Sequence, residues 1–313
     1  RTPDSQPARH PPGPRCPTPV AVAALLWALT APGARGAPLY LSPQVEAAAG
    51  ATSNRFLDSQ AEASPYLRLT PALVAVWFGP VGWEAGATLA HSTTRFTRPG
   101  FEHRDETTAR GYVWHALPIA DLSASVEGGM VRDGVVSDDD TGWLRGGMTI
   151  RGLPGRRLNP GLAARLTRTR YESRTTSGGS NRTDTLWSLD PDLRWQIGRA
   201  ATLWTGATLE GSTSNAEDGS YRGFGLDAGL DVQLPRTADA GLWARWQERR
   251  YDDGRVDNPT GAGAWGTLRL SSWAELTANA HYLDHRSISD LDDYREWGVE
   301  AGVRLRYDWP LVR

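Results

Sequence analysis

Phe224-Gly-Leu-Asp-Ala-Gly-Leu-Asp-Val-Gln-Leu234 alternates apolar and polar residues without a break. Phe224, Leu226, Ala228, Leu230, Val232 and Leu234 fall on one face. Gly225, Asp227, Gly229, Asp231 and Gln233 fall on the other. A period of two marks a strand with one apolar face. The last such stretch sets Trp297, Val299, Ala301, Val303, Leu305, Tyr307 and Trp309 against Gly298, Glu300, Gly302, Arg304, Arg306 and Asp308. Between the two, Ala274, Leu276, Ala278, Ala280 and Tyr282 oppose Glu275, Thr277, Asn279 and His281.

Outward from these stretches the same rhythm fills the chain from Leu39 on. The alternation predicts fourteen strands, near 40–53, 63–78, 83–96, 107–117, 121–132, 141–152, 160–172, 184–197, 201–213, 220–234, 239–251, 261–271, 273–285 and 294–309. Pro65 and Pro71 interrupt the second, since proline cannot donate to a ladder. The connections alternate in length. Short ones such as Gly79-Pro-Val-Gly82, Leu117-Pro-Ile-Ala120 and Leu234-Pro-Arg-Thr237 carry turn residues. Longer polar ones lie near 54–62, 97–106, 133–141, 173–183, 214–220, 252–260 and 286–293.

Composition narrows the class. The 313 residues carry 39% hydrophobic and 22% charged side chains and a formal net charge of -2. No apolar run approaches the ~20 residues of a membrane helix, which excludes a polytopic helical protein. No basic block appears, which excludes a strongly basic nucleic-acid binder. The 34 basic residues are all arginine, and Trp (14) and Gly (34) are high.

The segment 1–36 reads as a secretory signal peptide, leaving 37–313 as the barrel domain. Arg9 and Arg15 precede the apolar stretch Val20–Leu29, and small residues follow at Ala34-Arg-Gly36. The single cysteine, Cys16, leaves with it, so no disulfide framework or thiolate site remains.

Even strand number, short turns on one side and long loops on the other define an all-β, transmembrane, antiparallel up-and-down barrel of about fourteen strands (12–16). Both termini then lie on the short-turn, periplasmic side. A soluble sandwich or propeller also alternates. Against it stand charges at mid-strand on nearly every polar face, aromatics near strand ends and the strict alternation of loop length. Interfacial aromatics are expected at the periplasmic side (Trp77, Trp83, Trp195, Trp204, Trp273, Tyr307, Trp309) and at the outer side (Phe96, Tyr112, Trp187, Tyr221, Tyr251, Tyr282, Trp297). Trp143, Trp243 and Trp265 fall on the polar parity and point to the lumen.

The segment Glu300-Ala-Gly302-Val-Arg-Leu305-Arg-Tyr307 resembles the β-signal by which bacterial outer-membrane barrels are recognised for assembly. It departs from the usual form, because Trp309 is followed by Pro310-Leu-Val-Arg313. In size and strand number the chain resembles the monomeric fourteen-stranded porins. It is also similar to the barrel of surface-lipoprotein assembly modifiers, without the helical repeats that precede that barrel. The resemblance implies an outer-membrane location, with outer-membrane lipid and lipopolysaccharide, the barrel-assembly machinery, small hydrophilic solutes and a periplasmic protein as partners.

Inward parity names the lumen candidates: Glu84, Glu127, Arg145, Arg151, Arg165, Asp192, Arg194, Glu210, Asp227, Asp231, Arg245, Arg269, Glu275, Glu300 and Arg304. Acid and base are mixed between neighbouring strands. They are read either as cross-strand ion pairs that hold the wall or as an opposed constriction that selects solutes. An enzyme at the outer rim would draw on His281, His285, Asp284, Asp252 and Asp253, but Asp284 and His285 are neighbours on a strand and point to opposite faces. No catalytic residue, cofactor, metal centre or nucleic-acid partner is expected. The acidic loops at Asp138–Asp140 and Asp290–Asp293 are read as solvated, with cation bridging of lipopolysaccharide as the other option. The sequence thus supports a porin-like channel, with a structural or export barrel of an envelope machine as the alternative.

Overall fold

The computed structural model describes residues 38–53, 63–97, 103–134, 140–152, 157–216, 219–235, 237–287 and 293–312. The expected signal peptide 1–36 lies outside them, as do 138–139 and 290–292 of the acidic loops. The strands are β1 (Leu39–Thr52), β2 (Ser64–Phe78), β3 (Trp83–Phe96), β4 (His103–Ala116), β5 (Ala120–Asp133), β6 (Thr141–Gly152), β7 (Leu158–Thr175), β8 (Asn181–Ile197), β9 (Ala201–Ser214), β10 (Tyr221–Leu234), β11 (Ala238–Tyr251), β12 (Val256–Asp257), β13 (Thr260–Arg269), β14 (Ala274–His285), β15 (Tyr294–Arg306) and β16 (Trp309–Val312). The two-residue β12 prolongs β13 along β11, and β16 prolongs β15 along β1. Fourteen strands therefore form the wall. Each pairs antiparallel with its neighbours in sequence, and β1 pairs with β15 from Gln44↔Arg306 to Thr52↔Gly298. The sheet is closed and has no free edge. The fourteen expected strands are all present. The clearest differences are an earlier start of β4, at His103, and a break at 307–308 that separates β15 from β16.

The registers fix the barrel's proportions. A residue followed from partner to partner around the wall returns to β1 displaced by about 18 positions. That stagger over fourteen strands sets a tilt of roughly 42° and a backbone diameter of about 28 Å. Rows of in-register residues therefore climb the wall as they pass from strand to strand.

Two prolines interrupt a ladder in mid-strand, and each is handled in the same way. The β2–β3 ladder skips from Leu69↔Thr93 to Ala72↔Ala90 around Pro71. The Thr70 hydroxyl donates to Ser92 Oγ (3.1 Å) across the gap. The β8–β9 ladder skips from Leu189↔Leu209 to Asp192↔Gly206 around Pro191, and Thr208 Oγ1 donates to Asp190 (2.9 Å) across that gap. A side-chain hydrogen bond one residue before each proline replaces the backbone bond it cannot make.

The described residues form no apolar interior. The buried hydrophobic residues among them are alanines and one valine. The large apolar side chains point outward instead: Leu67, Leu69, Met148, Leu166 and Leu242 are each more than half exposed. Apolar surface on this scale is stable only against lipid.

Glycine and aromatic residues interlock across strands. A side chain at Gly241 would meet the Trp265 ring at 2.3 Å, and one at Gly129 would meet Trp143 at 2.7 Å. Gly146, by contrast, has nothing within 4 Å. Gly241→Val is therefore expected to displace Trp265 and lower the thermal midpoint of the refolded barrel by several degrees. Gly146→Val, on open outer surface, is expected to leave it unchanged. Heat-modifiable migration in a denaturing gel, followed with temperature, measures both.

Candidate functional site

The lumen wall is the site on which the polar residues converge. Register assigns inward parity to every lumen candidate named from the sequence. Most of them are paired across strands.

Two of these pairs reach over a glycine. Arg151 on β6, Gly161 on β7 and Asp192 on β8 lie in one row. Arg151 donates to both Asp192 oxygens (2.8 and 2.7 Å) across the glycine, where a Cβ would come within 2.4 Å of Asp192. Arg249 on β11 spans Gly223 on β10 to reach Glu210 on β9 at 2.7 Å. Bidentate and charge-assisted bonds of this kind are the strong ones. Arg165 pairs with Asp190 at 2.9 Å, and Arg194 approaches Asp192 at 3.7 Å.

A larger network crosses the seam where the barrel closes. Arg304 on β15 donates to Glu46 on β1 (2.7 Å) and to Glu275 on β14 (3.1 Å). Arg68 on β2 donates to Glu46 (2.9 Å) and to Glu300 on β15 (2.6 Å). Tyr66 Oη donates to Glu300 at 3.0 Å over Gly50. Five charges on four strands are thus joined. Arg269 stands in register with Glu275 at the edge of this group.

Elsewhere pairing is incomplete. Arg110, Glu127 and Arg145 form one row on β4, β5 and β6. Arg145 lies 3.7 Å from Glu127 and donates to Thr167 (3.2 Å), while Arg110 makes no ion pair among the described residues. With Arg165 and Glu84 they line a recess of about 680 Å³. Asp227 and Arg245 face each other in register without an ion pair. Asp231 lies in a second recess, near Gln196, Asp239 and Trp265.

The aromatics divide differently from the expectation. Trp83, Trp195, Trp297 and Trp309 carry outward parity, and Trp83 stacks on His115 (4.1 Å between ring centres). Tyr307 follows β15 and is largely exposed, and Trp273 lies at the turn before β14. Trp204 is not part of the outer girdle. It lines an inward recess with Thr208, Asp227 and Trp243. Phe96, Tyr112, Tyr221 and Tyr251 likewise carry inward parity. Tyr112, for example, donates to Glu84 at 2.6 Å. Strand-end position fixed their height but not their face. A glycine stands directly across from Tyr112 (Gly86) and Trp204 (Gly229), but also from the outward Trp187 (Gly211), whereas Phe96 pairs with Tyr66 and Tyr221 with Tyr251 and Ser212, so it is the register that decides the face.

Of the assembly-signal residues, Glu300 and Gly302 share the inward face of β15 and Leu305 the outward face, all on the closing strand. At the rim His285 approaches Asp257 (3.4 Å), a side chain only 3% exposed, and not Asp284. Asp257, Glu46, Arg68, Arg110 and Asp190 escaped the sequence reading. For Glu46 and Arg68 the prolines of β1 and β2 obscured the parity that would have found them.

The sequence matches no family model and no curated protein. Among solved structures, the chain is similar to OmpT, an outer membrane protein of Vibrio cholerae (7% identity, TM-score 0.55, 87% of this chain and 98% of that one). It is also similar to an anion-selective porin from Comamonas acidovorans (12%, 0.50, 87% and 100%) and to a bacterial polysaccharide outer membrane secretin (12%, 0.51, 84% and 98%). At these identities the likeness is one of fold, that of the outer-membrane β-barrel.

The seam network gives a direct test. Removing either Arg304 or Glu46 is expected to lower the urea midpoint of the barrel. In a double-mutant cycle the pair is expected to couple by roughly 0.5–3 kcal/mol. A cycle between Arg304 and Arg151, on opposite sides of the barrel, is expected to be additive.

Proposed function

We propose that the chain is an outer-membrane channel, porin-like, through which small hydrophilic solutes diffuse. One observation carries the reading: side chains that point inward are open to solvent. Arg165, Arg194 and Arg145 are 53%, 50% and 47% exposed although they lie on the inner face. An eight-stranded barrel fills its interior with side chains, whereas a wall about 28 Å across lined by glycine, serine and threonine leaves room for water.

Outward arginines support the orientation. Arg95, Arg132, Arg168, Arg170, Arg222 and Arg250 are exposed, carry outward parity, and all lie toward the loop end. Guanidinium groups at that height suit the phosphates of lipopolysaccharide in the outer leaflet. The short turns then face the periplasm, and β15 offers Glu300, Gly302, Leu305 and Tyr307 to the barrel-assembly machinery. In this reading the protein catalyses no reaction.

The likeness to a polysaccharide secretin favours a second reading, an export barrel of an envelope machine working with a periplasmic partner. The two separate on single-channel recording of the refolded chain in planar bilayers. A porin-like channel is expected to give conductance steps, and Arg145→Glu is expected to raise the cation-to-anion permeability ratio. A chain silent at every voltage, and isolated from membranes with a periplasmic protein, overturns the channel reading in favour of export.

A further inference from the structure

One inward row has a composition that conduction does not require. It runs Arg194, Trp204, Gly229, Trp243, Gly263, His281, Gly298, Thr52, one residue on each strand from β8 round to β1. It begins near the turn after β8 and, because the strands tilt, ends at the loop end of β1. Rings and glycines alternate along it. Each ring lies on the glycine that follows: an added Cβ would be 2.4 Å from the Trp204 ring, 2.6 Å from Trp243 and 2.3 Å from His281. A ring held against the wall in this way has one face on backbone and the other toward the lumen. Successive rings are two strand spacings apart, about 10 Å.

Trp204 and Trp243 share a recess of about 300 Å³ with Thr208, Asp227, Arg245 and Gln247. The Arg245 guanidinium rests over Trp243, 5.6 Å from the ring centre. Among the described residues no ion pair or side-chain hydrogen bond occupies Asp227 or Arg245. The recess therefore combines flat apolar surface with a carboxylate and a guanidinium whose hydrogen-bonding capacity is unspent, beside the Gln247 carboxamide and the Thr208 hydroxyl, which already accept from Arg249 and donate to Asp190 respectively.

We propose that this row is a sugar-binding track, along which the pyranose rings of an oligosaccharide stack as they cross the lumen. The inference rests on the channel reading and deepens it by naming the solute class. A pyranose presents a C–H face that packs on an indole and a rim of hydroxyls that both donate and accept. Asp227 accepts from them, Arg245 donates to them and Gln247 does both. A simple ion would use one sign of charge, whereas the recess holds both. A planar aromatic solute would cover the rings but leave the polar border desolvated and unpaired, which is costly.

Maltohexaose and cellohexaose are the probes, read as reversible interruptions of single-channel current and, separately, as heat of binding to the refolded protein in detergent. At least one is expected to interrupt the current and to bind. Trp204→Ala and Trp243→Ala are expected to weaken that binding about tenfold each, and Asp227→Asn to weaken it as well. Trp243→Phe retains a ring over Gly263 and is expected to keep most of the affinity. Trp246→Ala, on the outward face of the same strand, is expected to change nothing. Heat-modifiable migration establishes that each variant is folded. An open channel that neither hexasaccharide interrupts or binds overturns the track and leaves the channel reading intact. So does equal interruption by p-nitrophenol, or binding indifferent to Trp204, Trp243 and Asp227. A closed barrel that still binds the sugars through these residues overturns the channel reading and retains the site. A closed barrel that binds neither overturns both.

Discussion

Closure of β1 on β15 is the constraint from which the rest follows. In lipid no water is available for an unpaired N–H or C=O, so a sheet can span only if its first and last strands meet. The sequence concentrates charge at that meeting. Glu46 on β1 is held by arginines on β2 and β15, and Arg304 also binds β14. The last strand thus joins the first by its backbone and by side chains that span four strands. The same requirement explains Pro71 and Pro191. Each opens a hole in a closed ladder, and each hole is bridged by a side-chain hydrogen bond at the preceding residue, Thr70 donating to Ser92 and Asp190 accepting from Thr208.

A closed barrel with no apolar core must find its packing elsewhere. It finds it along the inner wall, where large side chains lie on neighbouring glycines. Burying a ring on a glycine gives contact area at a position where any Cβ would collide. It also compensates the weakness of glycine in a strand. The high glycine and tryptophan counts are therefore one feature. Glycines across from Arg151 and Arg249 do the same for charge, since each lets a guanidinium reach the carboxylate two strands away.

Much of this was legible in the sequence. Period two, the alternation of turn and loop lengths and the even number of segments were enough for the topology and for the fourteen strands, because each strand must present apolar residues to lipid on one face only. Inward parity for Glu127, Arg145, Asp227 and Arg304 followed from the same rule. What parity could not supply is the partner. Arg151 finds Asp192 two strands away, and Arg68 reaches across the seam to a strand more than two hundred residues later. Register between strands is set by turn geometry and by the sum of many pairings, which no single stretch contains. Trp204 shows the limit most clearly. It stands near a strand end, where interfacial tryptophans gather, but it pairs in register with Gly229, on the inner face.

The pairing pattern also separates inward charges that neutralise one another from those that do not. A guanidinium bound to a carboxylate one or two strands away contributes little field beyond its partner, and its donors are engaged. The seam network, Arg151 with Asp192, and Arg249 with Glu210 are therefore wall, and their chemistry is directed at one another. Arg110, Asp227 and Arg245 differ: each points inward, and none has its charge matched within ion-pair distance. The first stands in a recess that holds more arginines than carboxylates. The other two border a pair of tryptophans. Arg110 on one side and Asp227 with Arg245 on the other thus stand in two recesses of different chemistry, at positions where the wall has not neutralised itself.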